Sequence, residues 1–351
     1  MMNGQKETLP GKIGNRKNMT NADTIWSNRP VLVTGGAGFI GSWLAHGLIK
    51  ARANVFILDI KKQLPEVGEH YELVCNKAIY IKGDVRDERK LKQIFSEHDI
   101  KTVFHLAAEA IVGNAILNPS EALDTNIRGT WTVLEAIRQT NSKTPVVIAS
   151  SDKAYGAHET LPYAEDFPLV GKNPYDCTKS CADLIAQMYV HTYDLPIAVT
   201  RCGNVYGGGD LNFSRLIPDT IRSSLEGRAV QIRSDGMYRR DYVFVGDIVD
   251  AYMFTAEALI SGKIANGVFN FGTGTPECAL DVVSQITRLM DATLKPVVLG
   301  TARYEIRDQY LDATRARETL GWHPHVNLTD GLRETISWYK EFFAQNKVEQ
   351  V

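Results

Sequence analysis

Gly35, Gly38 and Gly41, in the segment TGGAGFIG, follow directly on the apolar run VLVT at residues 31 to 34. A strand, a tight turn that lets backbone approach a phosphate, and a helix whose N-terminus presents N–H donors are what this spacing serves. Taken alone, three glycines would mark only a turn. In this setting they place a dinucleotide pyrophosphate on the loop, with Phe39 and Ile40 in the first helical turn beside it.

The rest of the chain extends that beginning. Short apolar runs recur at VFILD (55 to 59), AIYIKGD (78 to 84), TVFHLAA (102 to 108), PVVIASS (145 to 151) and PIAVTR (196 to 201). Helical patterns near 40 to 52, 87 to 97, 120 to 139 and 174 to 192 separate them, which predicts βαβ units and a parallel sheet. Pro119 and Pro174 stand where a first helical turn tolerates a missing N–H. After about residue 205 the rhythm loosens: helices are expected over 215 to 226, 245 to 260, 279 to 290 and 328 to 345, and VFNFG (268 to 272) reads as a strand returning to the main sheet. The expected fold is α/β, a Rossmann-type doubly wound parallel sheet with a smaller C-terminal α/β substrate lobe. Residues 29 to 205 would form the NAD-binding domain, joined by about 241 to 275, and 206 to 240 with 276 to 347 the lobe. Residues 1 to 28 are polar, lack a secretory apolar core, and read as a disordered tail.

Charge and cysteine usage narrow the partners. With 39 Lys and Arg against 41 Asp and Glu in 351 residues, the net charge of −2 gives no bulk field toward nucleic acid or an anionic membrane. Pro30 to Ile49 lacks any Asp, Glu, Lys or Arg and is as long as a membrane span, yet it holds five glycines and His46 and reads as strand, turn and helix. Cys75, Cys177, Cys181, Cys202 and Cys278 form no CxxC pair, which fits a reducing cytoplasm. His323 and His325 flank Pro324 in a turn, so no metal is assigned.

Asp59 ends the second strand, where a carboxylate would accept from an adenosine ribose and repel a 2′-phosphate, favouring NAD over NADP. Capping a turn is its plain alternative, and Lys61 and Lys62 lie close in sequence. Asp84 and Val85, after the third strand, stand where adenine could be met. Tyr175 and Lys179 are four apart in a helix opened by Pro174 and project from one face. An ammonium beside a phenol would lower the tyrosine pKa and prepare it to take a proton from a sugar hydroxyl. Ser151, at the end of the fifth strand, could bond the same hydroxyl; Asp152 and Lys153 then add an acid and a base that plain hydride transfer does not need. In a regular strand those two would point to opposite faces, so the backbone must leave β geometry after Ser151.

TGGAGFIG, HLAA (His105 to Ala108), the Ser151, Tyr175 and Lys179 set, and RCGNVYG (201 to 207) together resemble the extended short-chain dehydrogenase/reductase family of nucleotide-sugar enzymes, over about residues 30 to 345. SSDKAYG, NPYDCTKSCADL and IRSDGMYRRDYVFVGD are most similar, within it, to the CDP-glucose 4,6-dehydratase group, where an Asp-Lys pair replaces the Asp-Glu of the dTDP-glucose enzymes. The resemblance implies a hydro-lyase with tightly held NAD and a nucleotide-diphosphate hexose as substrate. Tyr175, helped by Ser151 and Lys179, would take the proton of the carbon 4 hydroxyl as hydride passes to NAD, Lys153 would take the carbon 5 proton and Asp152 would protonate the departing carbon 6 hydroxyl. It also implies Ala107, Ala108 and Asn126 at the cofactor, Asn204, Asn212, Arg215 and Arg240 at the substrate, with Arg307, Arg233 and Arg239 as substrate candidates of lower rank, and a homodimer. The rivals are a 4-epimerase, a dehydratase of a UDP-, GDP- or N-acetylated sugar, and a non-catalytic NAD-binding scaffold.

Overall fold

The computed structural model describes residues 25–61, 69–302 and 305–348. β1 (Pro30–Thr34) leads through the glycine turn into α1 (Phe39–Lys50) and β2 (Asn54–Asp59). α2 (Glu69–Lys77), β3 (Ile79–Lys82), α3 (Glu88–Glu97) and β4 (Thr102–His105) continue the alternation. Then come α4 (Val112–Leu117), α5 (Pro119–Leu123), α6 (Gly129–Thr140), β5 (Val146–Ser151), α7 (Pro174–Tyr193) and β6 (Ile197–Cys202). The remainder supplies β7 (Asn204–Tyr206), α8 (Leu216–Glu226), β8 (Gln231–Ile232), β9 (Arg239–Arg240), β10 (Tyr242–Phe244), α9 (Val245–Ile260), β11 (Gly267–Phe271) and β12 (Glu277–Cys278). α10 (Ala279–Leu289), β13 (Val297–Val298), β14 (Asp308–Gln309), α11 (Thr314–Leu320) and α12 (Leu328–Val348) complete it.

The main sheet runs β11-β6-β5-β4-β1-β2-β3, every pair parallel. Strand order reverses between β1 and β4, and open α/β sheets place ligands outside the carboxyl ends of the strands at such a point. Alternate residues of β1 divide between two layers. Val31 and Val33 share a buried cluster with Leu44 and Leu48 of α1 and Val249 and Met253 of α9. Leu32 packs on the other side with Leu91 of α3, Leu134 of α6 and Tyr189 of α7. Helices on both faces are why these strands are apolar on consecutive positions.

The lobe carries a three-stranded sheet, β12-β9-β14, a β13-β8 pair, and a small core of Val230, Ile232, Ala279 and Val283. Trp322, Leu332 and Trp338, expected in that lobe, instead belong to the same buried cluster as β1, so the last helices serve the main core. The strand expected over 268 to 272 is β11, paired with β6.

Other departures have local causes. The helix expected from 120 to 139 is interrupted by a π-helical turn over Asp124–Arg128, between α5 and α6. α2, in the polar stretch EHYELVCNK, and α4 were hidden by weak apolar periodicity. Residues 1–24 of the expected tail lie outside the described residues. Trp26, within the tail's limits, is fully buried: its indole donates to Glu257 of α9 at 2.6 Å and its ring lies 6.1 Å from that of Phe104. Among the described residues no helix is long and apolar enough to cross a membrane, and no group of His, Cys, Asp and Glu could hold a metal ion.

Candidate active site

Gly35 has a φ of +69°, and a Cβ there would lie 2.7 Å from the Ala107 nitrogen; a Cβ on Gly41 would strike the Gly35 carbonyl oxygen. The turn between β1 and α1 therefore lies flat against the end of β4. α1 starts from an exposed Gly38 with no side-chain cap, so its first-turn N–H groups, including those of half-buried Phe39 and Ile40, suit an anion. Asp59 accepts from Ala37 N at 3.1 Å and from Lys61 N at 3.2 Å. Burial raises its pKa, against the pull of these N–H groups. Lys62 lies outside the described residues. Asp84 is committed elsewhere: Arg86 grips it at 2.6 Å, reaches on to Glu121 and Asp124, and holds its carboxyl below the usual range. Val85, buried against Gly129, is left as the wall on that side.

His105 stands at the back of the crevice, 2.8 Å from Thr34 Oγ1 and 3.1 Å from Thr130 Oγ1, with burial driving its pKa down to about 3. Thr130 gives its hydrogen to the Asn126 carbonyl at 2.6 Å. Thr130 must then accept from His105 Nε2–H, which leaves Nδ1 to accept from Thr34. Ala107 and Ala108 line a narrow cavity here with Asn126, Ser150 and Lys179. Asn126, expected at the cofactor, lines this cavity with both amide N–H groups used within the protein: it accepts from Glu109 N at 2.7 Å and donates to Glu109 O and to Thr178 of α7. It ties the loop after β4 to α7.

At Ser151 the backbone leaves β geometry for a 3₁₀ turn over Asp152–Tyr155. Ser151 Oγ accepts from Lys153 N at 3.2 Å and donates to Asp152 at 3.0 Å, and its hydroxyl helps hold down the pKa of the Tyr175 phenol. The turn keeps acid and base together, with Lys153 Nζ 3.4 Å from both oxygens of the enclosed Asp152. Burial lowers the Lys153 pKa; Asp152 and Asp176 oppose the shift, and Arg240 adds to it. Asp176, next to Tyr175, is pushed up to about 6 by burial.

Tyr175 departs from expectation. Burial pushes its pKa up to about 12, and the charge that pulls it back belongs to Arg215, helped by the Ser151 hydroxyl. Lys179 Nζ sits 6.0 Å from the centre of the Tyr175 ring and donates to the Ala149 carbonyl at 2.9 Å, while burial lowers its own pKa to about 8. A buried network anchors this helix: one turn after Lys179, Asp183 receives Ser150, Gln187 and two bonds from Arg201, at 2.8 and 2.9 Å. Arg201 also donates to the Tyr155 hydroxyl, which donates to Asn270 of β11.

A model of the GDP-mannose 4,6 dehydratase family matches residues 32–335. The chain belongs to the GDP-mannose 4,6 dehydratase family. With it stands the wider extended short-chain dehydrogenase/reductase group that the motifs resembled. A CDP-glucose 4,6-dehydratase of Salmonella typhimurium is 32% identical over 335 residues, covering 90% of this chain and 92% of that one. The crystal structure of dTDP-glucose 4,6-dehydratase from Bacillus anthracis in complex with NAD is 29% identical with a TM-score of 0.77, over 89% of this chain and 96% of that one. UDP-glucose 4-epimerase from Thermotoga maritima, with UDP-glucose, is 30% identical with a TM-score of 0.81, over 90% and 99%.

In this member of the GDP-mannose 4,6 dehydratase family the residues expected at the substrate divide. Asn204 opens β7, its N–H bonded to the Asp241 carbonyl at 2.7 Å. Asn212 accepts from Ser214, and Arg215 begins α8 with its guanidinium 2.8 Å from Asp210 and its charge felt at Tyr175. Arg240 is half-buried and donates to the carbonyls of Arg239, Arg307 and Ile306, yet its charge acts on Lys153. Arg307 is exposed and paired with Asp235 at 3.1 Å. One residue went unforeseen: Gln309 of β14, fully buried, bonded to Lys153 Nζ and to the Asp152 carbonyl. No motif marks it.

Proposed function

We propose that this chain dehydrates a nucleotide-diphosphate hexose, with CDP-glucose favoured, to the 4-keto-6-deoxy sugar. The observation that carries the reading is the Asp152–Lys153 pair, held on one side by the 3₁₀ turn at the carboxyl end of β5 beside Ser151 and Tyr175. An epimerase needs no such acid and base.

The flat glycine turn, the uncapped start of α1 and Asp59 at the end of β2 suit a dinucleotide, and a carboxylate at Asp59 selects NAD over NADP. When bound, NAD would supply the redox chemistry, accepting a hydride from carbon 4 and returning it at carbon 6. Tyr175, whose pKa the Ser151 hydroxyl helps to lower, takes the proton of the carbon 4 hydroxyl, and Lys179 on the next turn holds the helix to the end of β5 through Ala149. The ketone at carbon 4 acidifies carbon 5, whose proton passes to the Lys153 amine; burial favours its neutral form. Asp152 gives its proton to the departing carbon 6 hydroxyl, which leaves as water. Arg240 and Arg215 are the guanidinium groups suited to the diphosphate.

Leu117, Trp131, Leu184 and Met188 expose apolar surface on α4, α6 and α7, which supports a homodimer through these helices. The five free cysteines suit a cytoplasmic setting. A 4-epimerase is the second reading, favoured by the likeness to the Thermotoga maritima enzyme.

The test is to incubate the purified protein with CDP-, dTDP-, UDP- and GDP-hexoses, without added cofactor, and follow product mass. Loss of one water is expected, fastest with CDP-glucose, and Asp152→Asn should stop it while sparing oxidation at carbon 4. A product of unchanged mass would install the epimerase reading.

A further inference from the structure

Gln309 is a neutral amide, fully enclosed, that reaches from the lobe into the turn carrying the acid and base. Its Oε1 receives Lys153 Nζ and its Nε2 donates to the Asp152 carbonyl at 2.8 Å. One side chain thus grips both the backbone and the amine of that turn. Its strand is only two residues long and pairs in parallel with β9, Gln309 standing opposite Arg240. Arg240 in turn bonds the carbonyls of Ile306 and Arg307, which lead into β14.

We propose that Gln309 is a positioning residue for water loss, holding the Lys153 amine beside Asp152 so that it meets the carbon 5 proton. The proposal rests on the dehydratase reading above and deepens it. A lysine ammonium is a point charge on a flexible four-carbon stem, so it takes the position its acceptors dictate. Asp152 touches it only at 3.4 Å, which leaves Gln309 as its close acceptor. The charged groups facing Lys153 are Asp152 from its own turn, Asp176 from α7 and Arg240 from β9. A neutral amide fixes the amine without adding a charge to that set, and displacing a reacting group by about 1 Å can lower a rate roughly 100-fold.

Gln309→Leu keeps the bulk and removes the acceptor; Gln309→Glu keeps an acceptor and adds a third carboxylate. In Gln309→Leu, water loss should slow about 10- to 100-fold while reduction of the bound nicotinamide in a single turnover stays near the wild-type rate. The pH limb of water loss should move to lower pH in Gln309→Leu, where the ammonium loses its acceptor, and to higher pH in Gln309→Glu. Labelling of Lys153 by an amine reagent in substrate-free protein, read by peptide mass spectrometry, should move the same way, because it depends only on the amine. Should Gln309→Leu fail to fold, the Gln309→Glu titration still decides. An unmoved limb and unmoved labelling, or equal slowing of oxidation and water loss, overturn the assignment while wild-type dehydration stands. Failure of the wild type to release water from any nucleotide hexose overturns the dehydratase reading, and this role with it.

Discussion

The Asp183–Arg201 pair allows a quantitative test of what holds the catalytic helix in place. Both side chains are buried, 0% and 2% exposed, and joined by two bonds. Removing either partner leaves an uncompensated buried charge, at a cost of about 3–5 kcal/mol. With an unfolding entropy of about 2.1 cal/mol/K per residue, that lowers the melting temperature by about 4–7 °C in a chain of 351 residues. Arg201→Met and Asp183→Leu should each show this loss. The double variant should lose no more than either single one, because a buried pair replaced by apolar groups is often near neutral. Urea unfolding of the four proteins closes the cycle, and a coupling of about 3 kcal/mol or more is expected. Additive losses would refute the reasoning and show that Ser150, Gln187 and Tyr155 satisfy each charge separately.

Lys179 gives a pH prediction. Its folded pKa, lowered to about 8 from 10.5, means the unfolded state binds more protons between those values, so wild-type stability rises with pH across that window. Lys179→Met should therefore hold its largest melting-temperature advantage below about pH 8 and lose it toward pH 10.5; a constant difference would contradict the assigned shift. Arg215→Met should raise the Tyr175 pKa, since it removes the main charge lowering it, and move the ascending limb of carbon 4 oxidation to higher pH. An unchanged limb would return that role to Lys179.

What was legible in the sequence is local. The strand, glycine turn and helix lie within one short stretch, and Tyr175 and Lys179 sit one turn apart, so spacing alone placed them. The need for a break after Ser151 followed from the alternation of strand side chains, and the 3₁₀ turn meets it. Contacts set by the tertiary fold escaped. Gln309 lies 156 residues from Lys153, and nothing around it in sequence marks its position. That Arg86, two residues beyond Asp84, also gathers Glu121 and Asp124 from thirty-odd residues on was equally out of view. The leading charge at Tyr175, that of Arg215, escaped for the same reason: helical spacing brings Lys179 near the phenol but does not show that a guanidinium forty residues on acts there, or that the amine donates to the Ala149 carbonyl.

Trp26 has a consequence for how the molecule is made. Its indole waits for Glu257, 231 residues further on, and the sheet is not closed until β11 joins β6. On the ribosome, the nucleotide-side half emerges first with α1 lying on one face at β1 but that face still bare over β5 and β6, since α9, which packs there and on α1, has yet to be synthesised. The nascent chain must shelter that apolar face through most of its translation, and completion comes as a late, long-range docking rather than as growth outward from the glycine turn.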